Sequence, residues 1–179
     1  MMRIVGGRLR HRLLKFPPDP ATRPTKDRIR EAIFSALGAE VVDRTVLDLF
    51  AGSGALGLEA MSRGAKEVTF VDKNREAIRV IQENLTTLKV EGTVLHTDDQ
   101  TALQALISEG KTFNLAFLDP PYARQVCEDL IRQLIETDIL TSNGIIVVET
   151  NYELEIDEAQ FSKIRSYKYG ITYIHICRR

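Results

Sequence analysis

The chain has 179 residues, 44% of them apolar and 27% charged, with 2 cysteines and a net charge of −1. This is the composition of one soluble domain with a short appendage at most, and no apolar run approaches the roughly 20 residues of a membrane helix. Cys127 and Cys177 form neither a metal spacing nor a disulfide framework, and the start MMRIVGGRLRHR lacks a secretory signal's apolar core, so a cytoplasmic location is expected.

The charge is unevenly spread. Residues 1–30 hold nine Lys/Arg against Asp19 and Asp27, a balance of +7 that leaves −8 on the remainder. A basic end on an acidic body suits a protein that grips a polyanion. Residues 1–24 read as a basic arm: Gly6-Gly7 interrupts it, residues 8–16 alternate basic and apolar as in a strand, and Pro17, Pro18, Pro20 and Pro24 exclude helix. The main domain is expected from residue 25. Thr25 is placed to cap a helix whose apolar face is Ile29, Ala32, Ile33, Ala36 and Leu37, with Gly38 as its stop and Arg23, Lys26 and Arg30 on the other side.

From residue 45 strands and helices alternate. VLDLF (46–50), VTFVD (68–72), TVLH (93–96), FNLAFL (113–118) and IIVVE (145–149) read as strands, and each is followed by a helical pattern except the last. Two further strand candidates, 161–167 and 171–176, flank Gly170. This pattern predicts an α/β fold with a mostly parallel sheet and helices on both faces.

In such a sheet, ligands bind beyond the carboxyl ends of the strands. Four polar groups collect there. Residues 48–57, DLFAGSGALG, contain G-x-G-x-x-G, which by itself also fits a nicotinamide dinucleotide. Asp48, however, would oppose a pyrophosphate and can accept from the ammonium of a methionine moiety. Asp72 ends the second strand, where a carboxylate meets ribose hydroxyls. Asp98 and Asp99 follow the third and suit an adenine amino group, though one of them is equally suited to cap the next helix. Asp119-Pro120-Pro121-Tyr122 follows the buried strand 113–118. The prolines make a rigid wall, and Asp119 and the Pro120 carbonyl can accept both hydrogens of an aromatic amino group beside a sulfonium methyl. Tyr122 offers a ring to a flipped base.

On the stretch Gly6-Gly7-Arg8…Arg12, on Arg23-Pro24-Thr25, Arg28 and Glu31-Ala32, and on the 48–57 loop, Asp119-Pro120-Pro121-Tyr122 and Tyr169-Gly170, the chain resembles the bacterial RsmD family of 16S rRNA guanine-N2 methyltransferases. The resemblance implies a Rossmann-like class I fold whose seven-stranded, mostly parallel sheet ends in an antiparallel strand, with a small N-terminal extension that holds a short hairpin. It implies S-adenosylmethionine as donor and a guanine N2 of small-subunit (16S) ribosomal RNA, or of the assembling subunit, as acceptor, acted on by a monomer. The donor would meet Asp48, Phe50, Ala51, Gly52, Gly54, Asp72, Lys73, Asp98, Asp99 and Asp119. Asp119, Pro120, Pro121 and Tyr122 would form the catalytic turn, and Arg3, Arg8, Arg10, Arg12, Arg23, Thr25, Arg28 and Arg30 would contact RNA. No metal is expected. The competing readings are methylation of DNA adenine N6 or protein glutamine by the same turn, an NAD-dependent oxidoreductase, and a non-enzymatic assembly factor. His11, His96 and His175 form no hydride relay, and the last two are expected to be structural.

Overall fold

The computed structural model describes residues 2–18, 27–121 and 126–179. Arg23, Thr25 and Tyr122 lie outside these residues. The chain begins with β1 (Met2–Arg3) and β2 (Leu13–Leu14), paired antiparallel with Met2 opposite Leu14. Then come α1 (Asp27–Leu37), a short 3-10 turn (Gly38–Val41), β3 (Thr45–Asp48), α2 (Ala55–Ser62), β4 (Glu67–Asp72), α3 (Arg75–Leu88) and β5 (Thr93–His96). The rest is α4 (Asp99–Ser108), β6 (Phe113–Leu118), α5 (Val126–Glu136), β7 (Leu140–Thr150), β8 (Lys163–Tyr169) and β9 (Thr172–Arg178).

The seven-stranded sheet has the order β5-β4-β3-β6-β7-β9-β8. The strands β5, β4, β3, β6 and β7 are mutually parallel, and β9 runs antiparallel to both β7 and β8. The alternation of side chains along a strand divides the core into two layers. Val46, Leu115, Phe117, Ile145 and Val147 face one layer with α1, α2, α3 and the hairpin. Leu47, Ala116, Leu118, Ile146 and Val148 face the other, with α4 and α5. Both faces of the central strands are covered, which is why they read as unbroken apolar runs.

Several element boundaries shift by one to five residues from the sequence reading, and some packing differs as well. The strand expected at 145–149 runs from Leu140 to Thr150, because Leu140 already pairs with Phe113 before the register shifts to Leu115–Ile145. Helix α1 buries Phe34 and Arg30 beside Ile29, Ile33 and Leu37, so its buried face is rotated from the one the alanines suggest. The N-terminal stretch forms a short hairpin, as expected, and packs on the domain: Met2, Ile4, Leu9 and Leu14 are buried in the first core layer.

Glu59, on α2 and 0% exposed, holds that stretch down. Its two oxygens accept from Val5 N (2.9 Å) and Gly6 N (2.8 Å), and Arg63 Nε pairs with it at 2.9 Å, so both oxygens of the buried carboxylate are hydrogen-bonded and its charge has a partner. Ser62 Oγ accepts from Leu9 N at 2.9 Å.

Candidate active site

Strands β3 and β6 are neighbours, but the chain leaves β3 toward β4 and leaves β6 toward β7. That reversal opens a crevice at their carboxyl ends. A cavity of about 580 Å³ lies there, within the size range of small-ligand sites. Its walls include Asp48, Phe50, Ala51, Gly52, Asp72, Lys73, Asp98, Asp99, Asp119, Pro120 and Pro121, each from the end of a strand or the turn after it.

Asp48 is 2% exposed, and its Oδ2 accepts from Gly57 N at 2.9 Å. Burial pushes its carboxyl up to about 7; the Gly57 amide opposes this and the Asp72 carboxylate adds to it. Asp72 shapes the loop as well as facing the cavity. Its Oδ2 accepts from Gly52 N and its Oδ1 from Asn74 N, both at 2.8 Å, leaving each oxygen a second lone pair. Gly52 (φ 56°) and Gly54 (φ 78°) take left-handed conformations, which L side chains adopt only with strain. Gly54 does not line the cavity, contrary to its expected contact role. It stands at the N-cap of α2 and turns the chain into the helix.

Asp119 follows the last residue of β6. Its carboxyl is held well above the ordinary aspartate value, first by burial and then by the carboxylates of Glu149 and Asp48. The register explains Glu149: Leu118 pairs with Val148, so the next residue on each strand emerges at the same level. Glu149 was not foreseen, although its place at the end of the 145–149 run satisfies the rule that found the aspartates. Asn151, Tyr152, Ile171 and Thr172 also line the cavity unforeseen; the last two are delivered by the β8–β9 turn, which no local pattern ties to the first strand.

Asp98 caps α4. Its Oδ1 accepts from Thr101 N (2.9 Å) and its Oδ2 from Thr101 Oγ1 (2.8 Å), bonds that lower its pKa. Asp99 occupies the first turn of α4. A rim of carboxylates, two of them costly to ionise while unpaired, is an environment that stabilises a bound cation.

The expected RNA contacts divide. Arg30 is corrected: its side chain is 0% exposed, donates from Nη2 to Arg3 O, and pairs with Asp27 at 2.8 Å, so it holds the hairpin to α1 and cannot reach a phosphate. Arg3 also pairs with Asp27, at 3.2 Å, and Arg12 Nη2 donates to Thr87 O at the end of α3. The side chains of Arg8, Arg10 and Arg28 make no ion pair among the described residues. His175 is buried in β9 with Nδ1 at 2.7 Å from Ser166 Oγ, and burial lowers its pKa. His96 Nε2 contacts Lys73 O at 3.2 Å.

The family model described as "Conserved hypothetical protein 95" matches residues 2–178. Ribosomal RNA small subunit methyltransferase D of Escherichia coli K12 is 40% identical over 152 residues, covering 85% of this chain and 76% of that protein. The chain belongs to this family. The solved structure of the Escherichia coli protein yhhF superposes with a TM-score of 0.89 at 36% identity, covering 99% of this chain and 97% of that one. The Thermus thermophilus 16S rRNA N2 G1207 methyltransferase RsmC, solved with AdoMet and guanosine, superposes with a TM-score of 0.67 at 25% identity, over 88% of this chain and 44% of that one. The sheet is therefore that of the class I methyltransferases, and membership of a ribosomal RNA methyltransferase family leaves no support for the oxidoreductase reading. Among the described residues no helix is long and apolar enough to cross a membrane.

Proposed function

We propose that this protein transfers the methyl group of S-adenosylmethionine to the exocyclic N2 of a guanine in 16S ribosomal RNA. The observation that carries the reading is the placement of Asp119, Pro120 and Pro121 in one cavity with Asp48 and Asp72.

Asp48 and the left-handed loop at Gly52 hold the methionine end of the donor, Asp72 its ribose, and Asp98 with Asp99 its adenine end. The bound donor supplies an electrophilic methyl on a positively charged sulfur. That charge offsets the repulsion among Asp48, Asp119 and Glu149 and favours the ionised form of Asp119. The Asp119 carboxylate and the Pro120 carbonyl then accept the two N2 hydrogens of an extruded guanine, fixing the lone pair in line with the methyl. As the N–C bond forms, the S–C pair passes to sulfur and S-adenosylhomocysteine leaves. The proton, acidic only once nitrogen carries the methyl, departs toward Asp119.

Arg8, Arg10 and Arg28, whose charges are not spent within the described residues, supply the phosphate contacts, and such contacts position RNA without reading its sequence. Support for guanine over adenine or a protein side chain comes from the similarity to RsmC, whose structure contains guanosine. The test is methyl transfer from labelled donor to 16S rRNA lacking the modification, followed by nucleoside analysis. N2-methylguanosine is expected; label in N6-methyladenosine, DNA or protein glutamine would overturn the reading.

A further inference from the structure

The amide of Asn84 ties the glycine-rich loop to the N-terminal hairpin, and we propose that it is a positioning residue that makes donor binding and RNA binding mutually dependent. The inference rests on the reading above that the hairpin meets RNA.

Asn84 lies on α3 and is 2% exposed. Its Oδ1 accepts from Lys15 N at 2.9 Å, and its Nδ2 donates both to Lys15 O at 3.0 Å and to Ser53 O at 3.1 Å. Both amide hydrogens and one acceptor site are thus committed to two backbone segments 38 residues apart in sequence. One segment is the strand end of the hairpin that carries Arg8 and Arg10. The other is the donor loop: Ser53 stands between Gly52, whose N–H is held by Asp72 at 2.8 Å, and Gly54 at the N-cap of α2. A second, weaker link runs parallel, from Ser53 Oγ to Met2 Sδ at 3.5 Å.

The planar amide presents its three bonds in one plane. A shift of Ser53 O on donor binding turns that plane and pulls on both polar groups of Lys15. Movement of the hairpin onto RNA pulls the loop in the same way. Linkage then requires that each ligand alter the affinity of the other by one common factor. Glu59 and Ser62 anchor the hairpin at its other end, on α2 rather than on the loop. The hairpin can therefore be loosened without touching Ser53.

The test measures S-adenosylhomocysteine affinity by calorimetry and hairpin amide exchange in wild type, Asn84→Asp and Ser62→Ala. Asn84→Asp keeps the acceptor for Lys15 N and loses both donated N–H groups, the one to Ser53 O and the one to Lys15 O. In wild type, S-adenosylhomocysteine slows exchange at the Lys15 amide, and 16S rRNA tightens its binding about fivefold or more, within the usual range of coupling factors. Asn84→Asp loses about tenfold in affinity together with both linked effects, whereas Ser62→Ala stays within about twofold of wild type. Unchanged affinity in Asn84→Asp, or equal losses in both variants, overturns the inference. If rRNA binds through Arg8 and Arg10 yet neither ligand responds to Asn84, the inference alone fails. If the Lys15 amide responds to S-adenosylhomocysteine but rRNA ignores the hairpin, the RNA reading fails and takes the mutual dependence with it.

Discussion

Gly57 N donates to Asp48 Oδ2 at 2.9 Å, joining the first strand of the main sheet to the helix that follows the glycine-rich loop. The bond holds in place a carboxylate that burial makes unfavourable to ionise, with its pKa pushed up to about 7. Between the ordinary aspartate value and about 7, the folded protein therefore binds a proton that the unfolded chain releases. Stability falls as pH rises through that window. In the ligand-free protein Asp48→Asn should be more stable at pH 7.5 by about 1–3 kcal/mol, and the melting temperature should depend less on pH between about 5 and 7. The same variant should lose donor binding, because the ammonium loses its partner. Thermal melts across pH, paired with calorimetry, check both; an Asp48→Asn protein that is less stable at pH 7.5 would show that the acid is not strained.

Gly57 is required for a second reason. A Cβ there would run into Phe70 Cε1 and come within 2.9 Å of Phe70 Cζ and Val68 Cγ1, so α2 could not lie on β4. Gly57→Ala should destabilise the protein by about 1–3 kcal/mol by overpacking. Denaturant unfolding measures this; a change below about 0.5 kcal/mol would mean the helix can slide.

Asp119→Asn should lower kcat by about 10²–10³-fold while donor-product affinity changes less than about threefold. In the proposed reaction the carboxylate acts on the acceptor amine and on the charge that develops there. Because the raised ionisation of Asp119 sets the acidic limb of the kcat profile, that limb should disappear in the variant. Single-turnover rates across pH provide the measurement, and an unchanged kcat would remove Asp119 from the reaction.

Arg8→Ala and Arg10→Ala should each weaken rRNA binding and reduce the salt slope by about one unit or less, leaving the melting temperature alone. Arg30→Ala should behave in the opposite sense. It leaves Arg3 O and Asp27 without their buried partner and should cost about 2–4 kcal/mol of stability, with the salt slope unchanged. Binding titrations at several salt concentrations beside unfolding curves separate the two classes.

Local pattern carried the fold and part of the cavity's lining. Apolar runs of strand length alternating with helical periodicity specify a covered parallel sheet, and the rule that ligands meet strand ends picked out Asp48, Asp72 and Asp119 from spacing alone. The cap of α4 was legible only as one of Asp98 and Asp99, and the Thr101 bonds of Asp98 decide between them. Glu149 also ends a strand, but only the pairing of β6 with β7 sets it against Asp119.

The amino-acid sequence by itself determined which segments are strands and helices, because burial on one or two faces imposes a period on apolar residues. It also determined which residues stand at the turns. Tertiary structure alone decided how charge is used. Arg30 was expected to meet RNA and is a buried strut, Glu59 and Asn84 drew on no local pattern and are anchors, and the expected hairpin is packed into the core. Their partners lie 27 to 69 residues away, and a polar side chain carries no mark in its own neighbourhood of the distant backbone it will satisfy.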